Sequence, residues 1–143
     1  MDIMQKIISV LFVLSLSAGN AFACSCIGPI IDHLDRYSSH VFIGEVKSKS
    51  GWLSLFNNVY SVEIETAYKG SVGNSVTLWS GKIEDGCGRV YEVGEKYVFF
   101  AKREYLGYES GLCTSWPIER YGEDLLESIR NKYIVDSVVS THE

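Results

Sequence analysis

The chain has 143 residues, of which 46% are hydrophobic and 22% charged, and a formal net charge of −5. That length bounds the answer to a single domain large enough to bury a real core. The acidity excludes a phosphate-binding surface, which needs clustered lysine and arginine, so no nucleic-acid partner is expected.

The amino-terminal segment opens with the terminal amine and Lys6, partly offset by Asp2, and continues as "IISVLFVLSL" over 7–16. Small and polar residues follow, ending in Ala21-Phe22-Ala23. A positive start, an apolar run and an A-x-A ending form the pattern of a cleavable secretory signal. The run falls short of the ~20 residues that span a bilayer. Cleavage after Ala23 is therefore expected, giving a signal peptide at 1–23 and a mature domain at 24–143 that begins with Cys24. A lipoprotein leader would carry a branched apolar residue three positions before the cysteine and a small one two before; Ala21 and Phe22 stand there instead. Asp2 and Lys6 leave together, so the mature charge is unchanged, and no second stretch is long and apolar enough to cross a membrane. The expected location is extracytoplasmic, periplasmic or secreted.

"IIDHLDRYSS" (30–39) has apolar residues at 30, 31, 34 and 37, the spacing of a helix, and Pro29 suits its start. "VFIGEVKS" (41–48) reads as a strand with a bulge at Gly44. "NNVYSVEIETAYKG" (57–70) alternates as a long half-buried strand, and "SVTLWS" (75–80) is a third. The stretch 83–95 is turn-dense and holds Cys87, "KYVFFAKRE" (96–104) is the most apolar strand, and "GLCTSWPI" (111–118) is a short last one stopped by Pro117. Leu125, Leu126, Ile129 and Tyr133 mark a final helix over 122–139, with acidic residues early and basic ones later to suit its dipole. Five strands between two helices predict a mainly β fold, a five-stranded Greek-key barrel of the OB type. A β-sandwich would need about seven strands.

All four cysteines, Cys24, Cys26, Cys87 and Cys113, lie in the mature part, and an even count in an exported chain predicts two disulfides. Structural zinc favours two closely spaced pairs, whereas Cys87 and Cys113 stand far apart in sequence. Redox catalysis needs Cys-x-x-Cys at a helix start, and Cys24-Ser25-Cys26 has the wrong spacing. The histidines are His33, His40 and His142, without a Gly-x-Ser-x-Gly element, so hydrolytic chemistry is not expected. The chain reads as a binding protein without a cofactor, not an enzyme. A Cys24–Cys26 bond would close a tiny strained ring, so each of these cysteines reaches a distant partner. In an extended segment both point to one face. "WLSLF" (52–56) places Trp52 and Phe56 at a predicted hairpin tip, as a candidate apolar contact or as a cover for the barrel mouth.

The signal, the mature start Cys-Ser-Cys with Pro29 soon after, the first helix and "VFIGEV" closely resemble the netrin-like and TIMP-like OB-fold domains, and most nearly their bacterial relatives. The likeness continues through "VEIETAYKG", "CGRVYEVGEKYVFFA" and "GLCTSWPI", and so covers nearly the whole mature chain. The resemblance implies Cys24–Cys87 and Cys26–Cys113 pairing. It also implies that the amine and carbonyl of Cys24 chelate the zinc of a partner metalloprotease, that Ser25 enters the pocket beside that metal, and that Glu84, Asp85 and Gly86 touch the protease. The partner expected from the likeness is a secreted zinc endopeptidase; the alternative is another extracytoplasmic protein, with the cysteines purely structural.

Overall fold

The computed structural model describes residues 24–26, 28–50, 58–81 and 87–139. Residues 1–23, where the signal is expected, and Trp52, Phe56, Glu84, Asp85, Gly86 and His142 lie outside the described residues. In chain order the elements are α1 (Ile31–Tyr37), β1 (His40–Ser50), β2 (Asn58–Lys69), β3 (Ser75–Ser80), β4 (Lys96–Glu104), β5 (Gly107–Glu109), β6 (Ser115–Pro117) and α2 (Ile118–Val139).

Strands β1 to β5 close on themselves. The sheet runs β1-β2-β3-β5-β4-β6, and β4 pairs back onto β1. The pairings are antiparallel except β3 with β5, which is parallel. This is the expected five-stranded OB-type barrel with a helix on either side in sequence. Its fifth stave is Gly107–Glu109, not the stretch around Cys113. Only Ser115–Pro117 of that stretch is strand, a short addition on β4 from Tyr97↔Pro117 to Phe99↔Ser115. Residues before it turn too tightly for a ladder: Gly111 N donates to Thr114 Oγ1 at 2.7 Å and Thr114 N to Gly111 O at 3.3 Å.

Alternation along the strands divides the core in two. Phe42, Val46, Tyr60, Val62, Leu78, Tyr97 and Phe99 fill the barrel interior. Their neighbours Val41, Ile43, Val98 and Phe100 point outward, where Leu34 of α1 and Leu125, Leu126 and Ile129 of α2 cover them. Strand β4 is therefore buried on both faces, which explains its continuous apolar run. At Gly44 the strands come close: a Cβ there would lie 2.5 Å from Val62 Cγ1 and 2.8 Å from Glu63 O. The register with β2 shifts between Ile43 and Gly44, as the bulge reading expects.

The last helix begins one turn earlier than its apolar spacing suggests. Pro117 ends β6 and α2 starts at Ile118, but Gly122 (φ 62°, ψ −161°) breaks the helical path, so the periodic part follows it. The helices are pinned to the barrel by one carboxylate. Asp35 Oδ1 accepts from Lys69 Nζ of β2 at 2.9 Å and from Tyr133 Oη of α2 at 2.7 Å. Burial alone would raise the Asp35 carboxyl, but these two hydrogen bonds and the charges of Lys69 and Lys132 outweigh it and hold the pKa below its ordinary 3.8.

Candidate functional site: the disulfide-tied strap

Ahead of α1, Ser25 is exposed, with Cys24 and Cys26 half-buried on either side of it. That alternation is what an extended chain produces when residues i and i+2 share a face. Cys24 bonds Cys87 across a sequence separation of 63 residues with Cα atoms 5.4 Å apart. Cys26 bonds Cys113 across 87 residues with Cα atoms 5.2 Å apart. This is the pairing that the resemblance implies, and no cysteine is free. The strap thus crosses two loops, the one after β3 and the one before β6.

Those loops are built as a single platform. Ser80 Oγ, at the end of β3, donates to Arg89 O at 2.6 Å and accepts from Arg89 N at 2.7 Å. The Arg89 guanidinium donates to the Ser115 carbonyl and lies 5.8 Å from the Tyr97 ring centroid. Leu112 N donates to Cys87 O at 2.9 Å, joining the two loops directly. A Cβ on Gly111 would lie 2.7 Å from that same carbonyl, so the approach needs a glycine.

Tyr91 anchors the platform inside the barrel. Its ring sits edge-on to Tyr60 (centroids 5.1 Å) and Tyr97 (5.0 Å), and its hydroxyl is 2.9 Å from Ser115 Oγ. Burial pushes the Tyr91 hydroxyl up to about 12, against lowering by Ser115, Ser110 and Arg89. At neutral pH it is a phenol holding two loops together, not a base.

Between strap, α1 and platform lies a groove of about 910 Å³. Ser25, Cys26, Cys87 and Cys113 form part of its wall, with Ile30, Leu34, Tyr37, Phe100 and Leu112 supplying apolar surface. His33 also lines it, its ring 4.9 Å from Tyr37. His40 lies on β1, with Nδ1 2.8 Å from Ser39 Oγ. Burial, Arg103 and Lys69 lower its pKa from 6.5, and only the Ser71 backbone opposes them. Among the described residues no three His, Cys, Asp or Glu side chains gather as a metal site, and no helix is long and apolar enough to cross a membrane.

The sequence reading found the strap and its cysteines but missed the supports beneath them. Arg89, Tyr91 and Ser115 act across the barrel end, and the faint signal was an apolar-polar alternation in "RVYEV" that forms no strand. The groove was equally hidden, since its walls come from segments remote in sequence. No protein-family model matches this chain, and no curated protein matches it either.

Proposed function

We propose that this protein is an exported protein-binding domain that inhibits a zinc endopeptidase through the amine and carbonyl of Cys24. One observation carries the reading: two disulfides fix Cys24 and Cys26 to the barrel while leaving Ser25 exposed between them. A strap held at two points loses little conformational freedom on binding, which is the usual advantage of a preorganised inhibitor. Catalytic zinc keeps an open coordination position. An α-amine, with a pKa of about 7.7–8.0, gives up its proton to such a metal near neutral pH far more readily than lysine does. Amine and carbonyl of one residue close a five-membered chelate. The side chain of Ser25 then enters the pocket beside the metal, and Glu84, Asp85 and Gly86, just before Cys87, supply flanking contacts.

The reading requires the leader to be removed at Ala23-Cys24, so intact mass and amino-terminal sequencing of the exported protein come first. Inhibition of a panel of secreted zinc endopeptidases is then measured with the native protein and with one alanine added before Cys24. That addition turns the chelating nitrogen into an amide and leaves both disulfides in place. The expected outcome is an unchanged melting temperature with inhibition lost, and a shifted protease preference when Ser25 is enlarged. A native protein that inhibits no member of a broad panel rejects the chelation reading. The second reading, a non-inhibitory secreted or envelope interaction domain, is favoured by the way both disulfides knit the strap to the platform, a sufficient structural reason for Cys-Ser-Cys.

A further inference from the structure

The two disulfides are not equivalent. Of the four cysteines, Cys87 is exposed, whereas Cys24, Cys26 and Cys113 are half-buried. Thiol–disulfide exchange needs in-line access to one sulfur, so an exposed partner is the point of attack. The two sides of the groove are also held differently. On the platform side, Cys87 is tied through Leu112 N and its neighbour Arg89 through Ser80 and Ser115. On the strap side, among the described residues, the hydrogen bond within 24–30 is local, from Ile30 N to Gly28 O. Among the described residues, the covalent ties from this strap to the barrel are its two disulfides. The barrel itself closes through backbone ladders from β1 round to β4 and back, without them.

We propose that Cys24–Cys87 is a redox latch: a dithiol opens it ahead of Cys26–Cys113, releasing Cys24 and with it Ser25 of the groove wall while the barrel stays folded. One thiolate of the dithiol attacks Cys87 Sγ, forming a mixed disulfide and expelling Cys24 as a thiolate that takes up a proton. The second thiol of the dithiol then displaces Cys87, which leaves as a thiolate and is protonated in turn. The reductant departs as a cyclic disulfide, so two electrons pass to the protein and two cysteine thiols result. The platform side keeps its hydrogen bonds, and Cys26–Cys113 still tethers the chain just before α1. The groove, which both Ser25 and Cys87 line, loosens at that end and bares more of the half-buried Leu112. The state of one exposed bond thereby sets whether the amino terminus is presented rigidly or hangs free.

The test needs no partner protein. Oxidised protein is exposed to graded dithiothreitol, quenched with iodoacetamide and peptide-mapped, with near-ultraviolet circular dichroism followed in parallel. Alkylation at Cys24 and Cys87 should run about tenfold ahead of that at Cys26 and Cys113, while the signal of the buried aromatics persists. Simultaneous labelling of all four cysteines, earlier opening of Cys26–Cys113, or loss of the aromatic signal with the first bond would overturn the latch. The Cys24→Ser, Cys87→Ser double variant gives an independent check. It should melt cooperatively, show a lower backbone order parameter at Ser25 by NMR relaxation, and bind an apolar dye more strongly than the native protein. An unchanged order parameter at Ser25 would overturn the proposal, as would failure of this variant to fold.

Discussion

The two halves of the core solve different problems with different residues. The barrel interior is rich in tyrosine, with Tyr60, Tyr91, Tyr97 and Tyr108 beside Phe42 and Phe99. The layer between barrel and helices is built mainly from Leu34, Val41, Ile43, Val98, Leu125, Leu126 and Ile129, with Phe100 and Trp116. The reason lies at the boundaries. Between a sheet and two helices every backbone group is already paired within its own element, so the filling can be wholly apolar. The ends of a barrel meet loops, whose backbone N–H groups need partners. Tyrosine spans that boundary, its ring in the core and its hydroxyl at the loop: Tyr91 N donates to Tyr60 Oη at 3.3 Å and Glu92 N to Tyr97 Oη at 3.2 Å.

The comparison breaks most readily at Tyr91. Tyr91→Ala should cost about 3–5 kcal/mol, because it empties the barrel end and removes one of the hydrogen-bond partners of Ser115 Oγ, which keeps Gly111 O. Ile129→Ala in the other layer should cost about 2–4 kcal/mol, with no polar group left stranded. Urea denaturation of both variants measures the difference; equal losses would mean that the hydroxyl contributes nothing. Tyr91→Phe isolates it and should cost about 1–2 kcal/mol.

The two layers should also fail at opposite ends of the pH scale. Burial raises Tyr91 and Tyr97 to about 12 from 10, with Glu95 adding to the rise at Tyr97. Their contribution is complete below pH 10 and is lost as pH climbs from there towards 12. Asp35, at the edge of the helical layer, has its pKa lowered from 3.8, so its contribution is complete above 3.8 and is lost as pH falls below it. Melting temperature against pH should therefore show an alkaline limb that Tyr91→Phe flattens and an acid limb that Asp35→Asn flattens. A variant that alters the wrong limb would break the assignment. At the small end, Lys47→Ala removes exposed, solvent-screened ion pairs to Glu45 and Glu63 and should leave the urea midpoint unchanged.

Much of this architecture is legible where a period repeats. The alternation of β2, the unbroken run of β4 and the helical spacing of Leu125, Leu126 and Ile129 each recur often enough to identify their element. The fifth barrel strand does not: Gly107–Glu109 has three residues, too few for a period, and is fixed by non-local pairing of Leu78 with Tyr108. Gly107 belongs there because a Cβ would lie 2.4 Å from Thr77 O, a constraint visible only in three dimensions. At the candidate site the cysteines announce themselves by count and order. The Arg89–Ser115 clamp carries no such mark, because arginine and serine become a clamp only when the barrel closes.

The double burial of β4 also shapes how the chain reaches its fold. Tyr97 to Ala101 are five successive buried apolar residues, the kind of short, uncharged, β-prone segment that associates with copies of itself when bare. In the native barrel it is shielded on both edges, by β1 from His40↔Ala101 to Glu45↔Lys96 and on the other side by β6 from Tyr97↔Pro117 to Phe99↔Ser115, with Phe100 N donating to Thr114 O. Its principal shield, β1, lies far away in sequence, and such long-range pairing is slow to form. The unfolded chain therefore passes through a stage in which its stickiest strand waits for a distant neighbour. The same strand that makes the finished barrel rigid makes its assembly the step most exposed to aggregation.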